Sequence, residues 1–60
     1  MDQMLRRIQG EFLEMPGLRL TCRQAQRLWN LDRASCETVL RYLVDANFLR
    51  RDAEDAYARL

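Results

Sequence analysis

Apolar positions recur at helical spacing in three stretches of the chain. In the first, Met4, Leu5, Ile8, Phe12 and Met15 fall on one side, while Asp2, Arg6, Arg7, Glu11 and Glu14 fall mostly elsewhere. This pattern predicts an amphipathic helix over about residues 2–14. Gly10 lies inside it, at a cost of roughly 1 kcal/mol relative to Ala, and either admits a close neighbour or is simply tolerated. Pro16-Gly17 ends the helix and starts a turn. The second stretch, about residues 22–29, has Ala25, Leu28 and Trp29 on its apolar side, with Trp29 expected semi-buried at its end. The third, about residues 33–46, has a stripe of Cys36, Val39, Leu40 and Leu43.

Local signals mark the starts of the two later helices. Thr21 is a good N-cap with Gln24 three residues on, and Leu20 and Ala25 stand at staple spacing. Asp32 repeats the arrangement, with Leu31 before it and Cys36 after it. Only Asn30-Leu31 separates the two, which leaves room for a sharp change of direction and nothing else. This is the grammar of a helix-turn-helix. Leu18-Arg19-Leu20 alternates and predicts a short strand. Residues 48–59 admit two outcomes. Phe48–Arg51 and Ala56–Arg59 can form a hairpin closed by Asp52–Asp55, or the Ala-rich run can continue as a helix.

These residues carry a resemblance. Leu-Thr ahead of a helix, Ala25 and Leu28 within it, the Asn-Leu-Asp turn and the Ser-Cys pair opening the next helix resemble the winged helix-turn-helix superfamily. The exit from Leu43 through Asn47 to Arg51 is similar to the ending of that helix in bacterial transcription regulators of this type. The resemblance covers roughly residues 18–59. It implies a mainly α fold with a small β-hairpin, a single three-helix domain over residues 1–60 with a wing at about 48–59. Two departures stand out: Asn47 occupies a position where glycine is usual, although Asn tolerates the left-handed conformation, and the wing segment is acidic.

Charge gives the resemblance a functional direction. All ten basic residues are Arg, against nine acids and no His. Residues 19–51 hold seven arginines against three acids, a net charge of +4, whereas residues 1–18 carry −1 and residues 52–60 carry −2. Positive charge therefore gathers on the segment that would meet DNA, and phosphate contact supplies most non-specific affinity. With the apolar stripe of the third helix turned inward, its outward face offers Arg33, Ser35, Thr38 and Arg41 for base-edge reading in the major groove. Glu37 on the same face can accept from cytosine N4 but repels phosphate. Thr21, Arg23, Arg50 and Arg51 are the expected phosphate contacts, with Arg59 also at the base of the wing.

The same features bound the alternatives. Sixty residues form one domain close to the size at which a hydrophobic core alone suffices. Dimerisation would help such a domain, and Met1, Met4 and Leu5 offer a homodimer seam on the first helix. Cys36 reads as a small buried hydrophobe; Cys22, in the first turn of a helix and beside Arg23, is a candidate for a lowered pKa and a redox-sensing role, with an inert thiol as the expected reading. Two Cys without His make a poor zinc set, so no metal or other cofactor is expected. No His, no phosphate loop and no nucleophile with a nearby base supports catalysis, so the chain is not expected to be an enzyme. No run is apolar enough to span a membrane and no signal-peptide pattern opens the chain, so a cytoplasmic protein is expected. The expected partner is double-stranded DNA, bound by a transcriptional regulator. The alternative is a winged-helix protein-protein interaction module without DNA binding, using the first helix and the acidic C-terminal segment to hold a protein partner.

Overall fold

The computed structural model describes residues 2–60, with side chains from residue 3 onward. Met1, one of the three residues offered for a dimer seam, lies outside the described residues. The order of elements is α1 (Asp2–Glu14), β1 (Arg19–Thr21), α2 (Cys22–Trp29), α3 (Arg33–Asp45), β2 (Leu49–Arg51) and β3 (Ala56–Arg59). The protein is thus mainly α, with a small three-stranded antiparallel sheet in the order β1-β3-β2. β3 lies in the middle, pairing Leu20 with Tyr57 on one edge and Arg51 with Tyr57 on the other. The short strand at residues 19–21 therefore closes onto the C-terminal hairpin. Residues 48–59 are a hairpin and do not continue as a helix.

The joints that follow α2 and α3 use the same device. Asn30 adopts φ 53° and ψ 50°, the left-handed conformation, and Leu31 N–H donates to the Gln26 carbonyl at 3.0 Å. Asn47 adopts φ 60°, with Phe48 N–H donating to Leu43 O at 2.9 Å and Asn47 N–H to Val44 O at 3.0 Å. These are Schellman-type closures, which satisfy the last helical carbonyls while reversing the chain. Asn is one of the few L-residues that enters this region readily, because its short polar side chain bonds locally. The starts are equally well marked. Thr21 Oγ1 accepts from Gln24 N–H at 3.2 Å while Gln24 Oε1 accepts from Thr21 N–H at 3.0 Å, a complete capping box. Asp32 Oδ2 accepts from Ser35 N–H at 3.1 Å. α3 ends at Asp45, with Ala46 as its cap.

One core lies between the helices and the inner face of the sheet. Ile8, Phe12, Ala25, Cys36, Val39, Leu40 and Leu43 are fully buried, and Trp29, Leu49, Ala56 and Tyr57 nearly so. Phe12 meets Trp29 with ring centroids 6.2 Å apart and planes tilted by 55°, which ties α1 to the end of α2. The indole N–H of Trp29 is buried without a hydrogen-bond partner among the described residues, so its large apolar area outweighs an unmet donor. Met4 and Leu5 are half-buried against this core, so the seam side of α1 is already in contact with its own chain.

Two apolar positions leave the expected pattern. Leu28 is 53% exposed, because the interior of the short α2 is filled by Ala25 and Trp29, which lie about one helical turn apart. Met15 is 45% exposed, since it lies past the end of α1, where the chain turns through Pro16 and Leu18 N–H donates to Met15 O at 2.9 Å. Gly10 has open space where a Cβ would stand, so no close neighbour requires it.

Two measurements follow from this packing. Leu40→Ala is expected to cost about 2–5 kcal/mol in urea denaturation, and Leu28→Ala less than about 0.5 kcal/mol. Equal costs would contradict the orientation of α2. Gly10→Ala is expected to stabilise by roughly 0.5–1 kcal/mol, and a loss of stability would place an unseen neighbour against that face of α1.

Candidate nucleic-acid interface

The turn at Asn30 sets α3 so that its buried stripe faces inward and the opposite face stands open. α2 crosses near its start, and the β2–β3 hairpin flanks the other side. Between them runs an open groove of about 1100 Å³. α2 contributes Cys22, Arg23 and Gln26; α3 contributes Arg33, Glu37, Thr38, Arg41, Tyr42, Val44 and Asp45; the hairpin contributes Arg51, Asp55 and Tyr57.

Five of the eight residues expected to touch DNA line this groove: Arg23, Arg33, Thr38, Arg41 and Arg51. Three do not. Thr21 is at the β1–α2 junction, and its oxygen accepts the capping bond. Ser35 is half-buried in the first turn of α3, its N–H bound to Asp32. Arg50 is exposed, but the pleat turns it away. Residues opposed across a sheet share a face and successive residues alternate, so Arg51 goes with Tyr57 and Leu20 on the inner face. Arg50 goes with Ala58 and Arg19 on the outer face. Neighbouring arginines in β2 therefore address opposite sides of the molecule. Arg59, the third cation of the hairpin base, lies with its guanidinium carbon 4.2 Å from the centre of the Phe48 ring.

The arginines of the groove differ in what holds them. Arg33 Nε donates to Glu37 Oε1 at 3.0 Å, and Arg51 donates through Nε at 3.0 Å and Nη2 at 2.7 Å to Asp55 Oδ1. Arg23 and Arg41 have no ion-pair partner among the described side chains. The two pairs are surface pairs, with side-chain exposures of 81% and 54% for Arg33–Glu37 and 57% and 71% for Arg51–Asp55. Such pairs are worth about 0–1 kcal/mol, so a phosphate can take over the guanidinium at little cost. The Thr38 hydroxyl is spent within its own helix, donating to Ala34 O at 2.9 Å. What Thr38 leaves for a ligand is its methyl group and an acceptor lone pair.

The acidic hairpin tip is built into the fold. Asp52 Oδ1 accepts from Glu54 N–H at 2.8 Å and Ala56 N–H at 3.1 Å, while its Oδ2 accepts from Arg19 Nε at 2.7 Å. Asp55 takes φ 62°, the left-handed position that glycine usually fills in such a loop. Two of the three tip carboxylates are thus neutralised by arginines, and Glu54 lies 3.7 Å from Arg19. The bonds to Arg19 and to backbone N–H groups hold the Asp52 carboxyl below its ordinary range.

The two thiols are free. Cys36 is fully buried and its Sγ–H donates to the Cys22 carbonyl at 3.6 Å. Burial first, then the neighbouring Cys22 thiol, pushes its pKa up to about 12, which makes it an inert core residue. Among the described residues no group of three or more potential metal ligands comes together, and no helix is long and apolar enough to cross a membrane.

The sequence reading missed Gln26, Tyr42 and Tyr57 as groove residues. A signal existed for two of them. Gln26 follows Cys22, and Tyr42 follows Thr38, by four residues on one helix face. Tyr42 is 57% exposed and reaches from this groove to a crevice beside Leu5, Arg6 and Gln9 of α1. Tyr57 had none, because its place depends on the register of β3.

Comparison with protein-family models, with curated proteins and with solved structures finds no match to this chain. The geometry of the groove is what bears on function.

A pH titration checks the role of Asp52. Its folded-state pKa lies below the unfolded value, so its stabilising effect is complete above about pH 4 and is lost as pH falls through the folded pKa. Asp52→Asn is expected to flatten the acid limb of the stability profile. An unchanged acid limb would mean that Arg19 and the turn amides gain nothing from the charge.

Proposed function

We propose that the chain is a winged helix-turn-helix DNA-binding module, a transcriptional regulator that lays α3 in the major groove of double-stranded DNA. The observation that carries this reading is the groove in which Arg23, Arg33, Arg41 and Arg51 converge from three separate elements. Four guanidiniums from α2, α3 and a hairpin suit a curved polyanion better than a single small anion, because they are spread along an open channel. α3 supplies base-edge chemistry through Arg33, Arg41 and the Thr38 methyl, and Arg33 and Arg41 can each fork onto guanine O6 and N7. Arg23 and Arg51, at the two walls, suit phosphates on either side of the groove. Thr21 and Ser35 act as caps in this reading, and Arg50 serves any partner that meets the outer face of the sheet. A second copy of the chain would double the contact set and address a second half-site.

A second reading has a specific observation behind it. Glu37, Asp45 and Asp55 also line the groove, so its fixed charge is nearly balanced, as suits a protein-protein interaction module that binds a mixed-charge surface. The two readings separate on the salt dependence of binding to duplex DNA. For DNA binding, affinity for a generic duplex falls steeply with salt, with a slope near −0.9 for each phosphate contacted. Arg41→Ala lowers discrimination between sequences, and Arg51→Ala weakens binding to all sequences alike and reduces the slope by about one. No binding to any duplex at low salt leaves the protein-interaction reading.

A further inference from the structure

We infer that Glu37 is a specificity-determining residue, which together with the Arg33 it holds reads one G·C base pair in the major groove. This inference rests on the DNA-binding reading of the groove. On the exposed face of α3, Arg33, Glu37 and Arg41 follow one another at one-turn spacing, so the carboxylate stands between two guanidiniums. Glu37 Oε1 accepts from Arg33 Nε at 3.0 Å. That bond engages Nε and leaves Nη1 and Nη2 without a partner among the described residues, on a side chain that is 81% exposed. Glu37 is itself 54% exposed, and its Oε2 has no hydrogen-bond partner among the described residues. The pair therefore presents two donors and, beside them, an acceptor.

That order has one match among the base pairs. Across the major-groove edge, G·C offers two acceptors, guanine N7 and O6, and then a donor, the cytosine N4 amino group. The Arg33 fork meets the two acceptors and Glu37 meets the amino group. A·T offers an acceptor, a donor, an acceptor and a methyl group, so a carboxylate placed beside the fork faces thymine O4 and is repelled. Repulsion also explains why the acid belongs to reading and not to grip. On any sequence Glu37 lies near phosphate and opposes binding, and only a correctly placed cytosine amino group offsets that opposition. Specificity is a difference of affinities, and a group that penalises every wrong site widens it. Asp55 differs. It holds Arg51 on the hairpin wall of the groove and not on α3 itself, so it tempers phosphate contact without reading a base.

In vitro selection from a random duplex pool, followed by affinity measurements on the selected site and on its single-pair variants, tests this with the wild-type chain, Glu37→Gln and Asp55→Asn. Both positions are exposed, and Asn is well suited to the left-handed backbone at residue 55. The wild-type is expected to select a site with one G·C pair whose replacement by A·T costs at least about tenfold. Glu37→Gln raises affinity for arbitrary duplex several-fold and reduces discrimination at that pair to within about threefold, since the Gln amide can donate to thymine O4 as well as accept from cytosine N4. Asp55→Asn raises affinity for arbitrary duplex as well but leaves discrimination at that pair intact. If the two variants behave alike, Glu37 is a bulk charge and the inference is overturned. It is equally overturned if Glu37→Gln selects the wild-type site with undiminished preference. A wild-type chain that binds no duplex at low salt removes the underlying DNA-binding reading along with it.

Discussion

Everything in this fold depends on the chain reversing within three residues at Asn30. A helix that continued would carry its charged face along one rod, with no concave surface. The left-handed Asn30, the 6→1 bond from Leu31 N–H to Gln26 O and the Asp32 cap together end α2 and restart the chain as α3. These bonds meet backbone groups at both ends, which lowers the cost of the sharp turn. The core then fixes the rotation. With Cys36, Val39, Leu40 and Leu43 inside, the arginines at 33 and 41 are obliged to face out. The same closure at Asn47 sends the chain into β2 and brings the hairpin beside α3. The open face is a consequence of two asparagines that take the left-handed conformation at helix ends.

The electrostatics of the open face are finely balanced. The net charge of the chain is +1, and the groove holds four arginines with three carboxylates among them. In a strongly basic protein phosphate attraction would dominate and all sequences would be gripped. Here two guanidiniums are held by exposed carboxylates that a ligand can displace, and two have no ion-pair partner among the described side chains. A weak, displaceable counter-charge lowers indiscriminate binding more than it lowers binding to a site that satisfies it, which is how modest total charge and selectivity can coexist.

Much of the architecture was legible in local sequence, because each element has its own start and stop signals. The capping box at Thr21, the Asp32 cap, the Pro16-Gly17 break and the tolerance of Asn47 for a left-handed backbone all act within a few residues. The long-range features were less legible. Leu28 satisfies the apolar pattern of α2, but an eight-residue helix shows the core little more than the side that Ala25 and Trp29 already fill. Residues 48–59 were ambiguous because helix propensity favoured one outcome, whereas pairing with β1 and the Asp52 turn bonds favoured the other. The division of Arg50 from Arg51 follows from the two-residue alternation of a strand, a rule that applies only once the hairpin is known. The carboxylate partners of Arg33 and Arg51 are four residues away in each case, one across a helical turn and one across a hairpin loop. The first pairing was open to sequence reasoning and the second needed the fold.

The proposed function requires that the groove over α3 be the surface that meets duplex DNA. An amide-resolved NMR titration of the protein with a short duplex at low salt reports both occurrence and place. The prediction is shift changes concentrated at residues 22–26, 33–42 and 51–55, with Gln3–Glu11 of α1 left in place. Changes confined to α1 or to the outer face of the sheet, or no change at all, would contradict it.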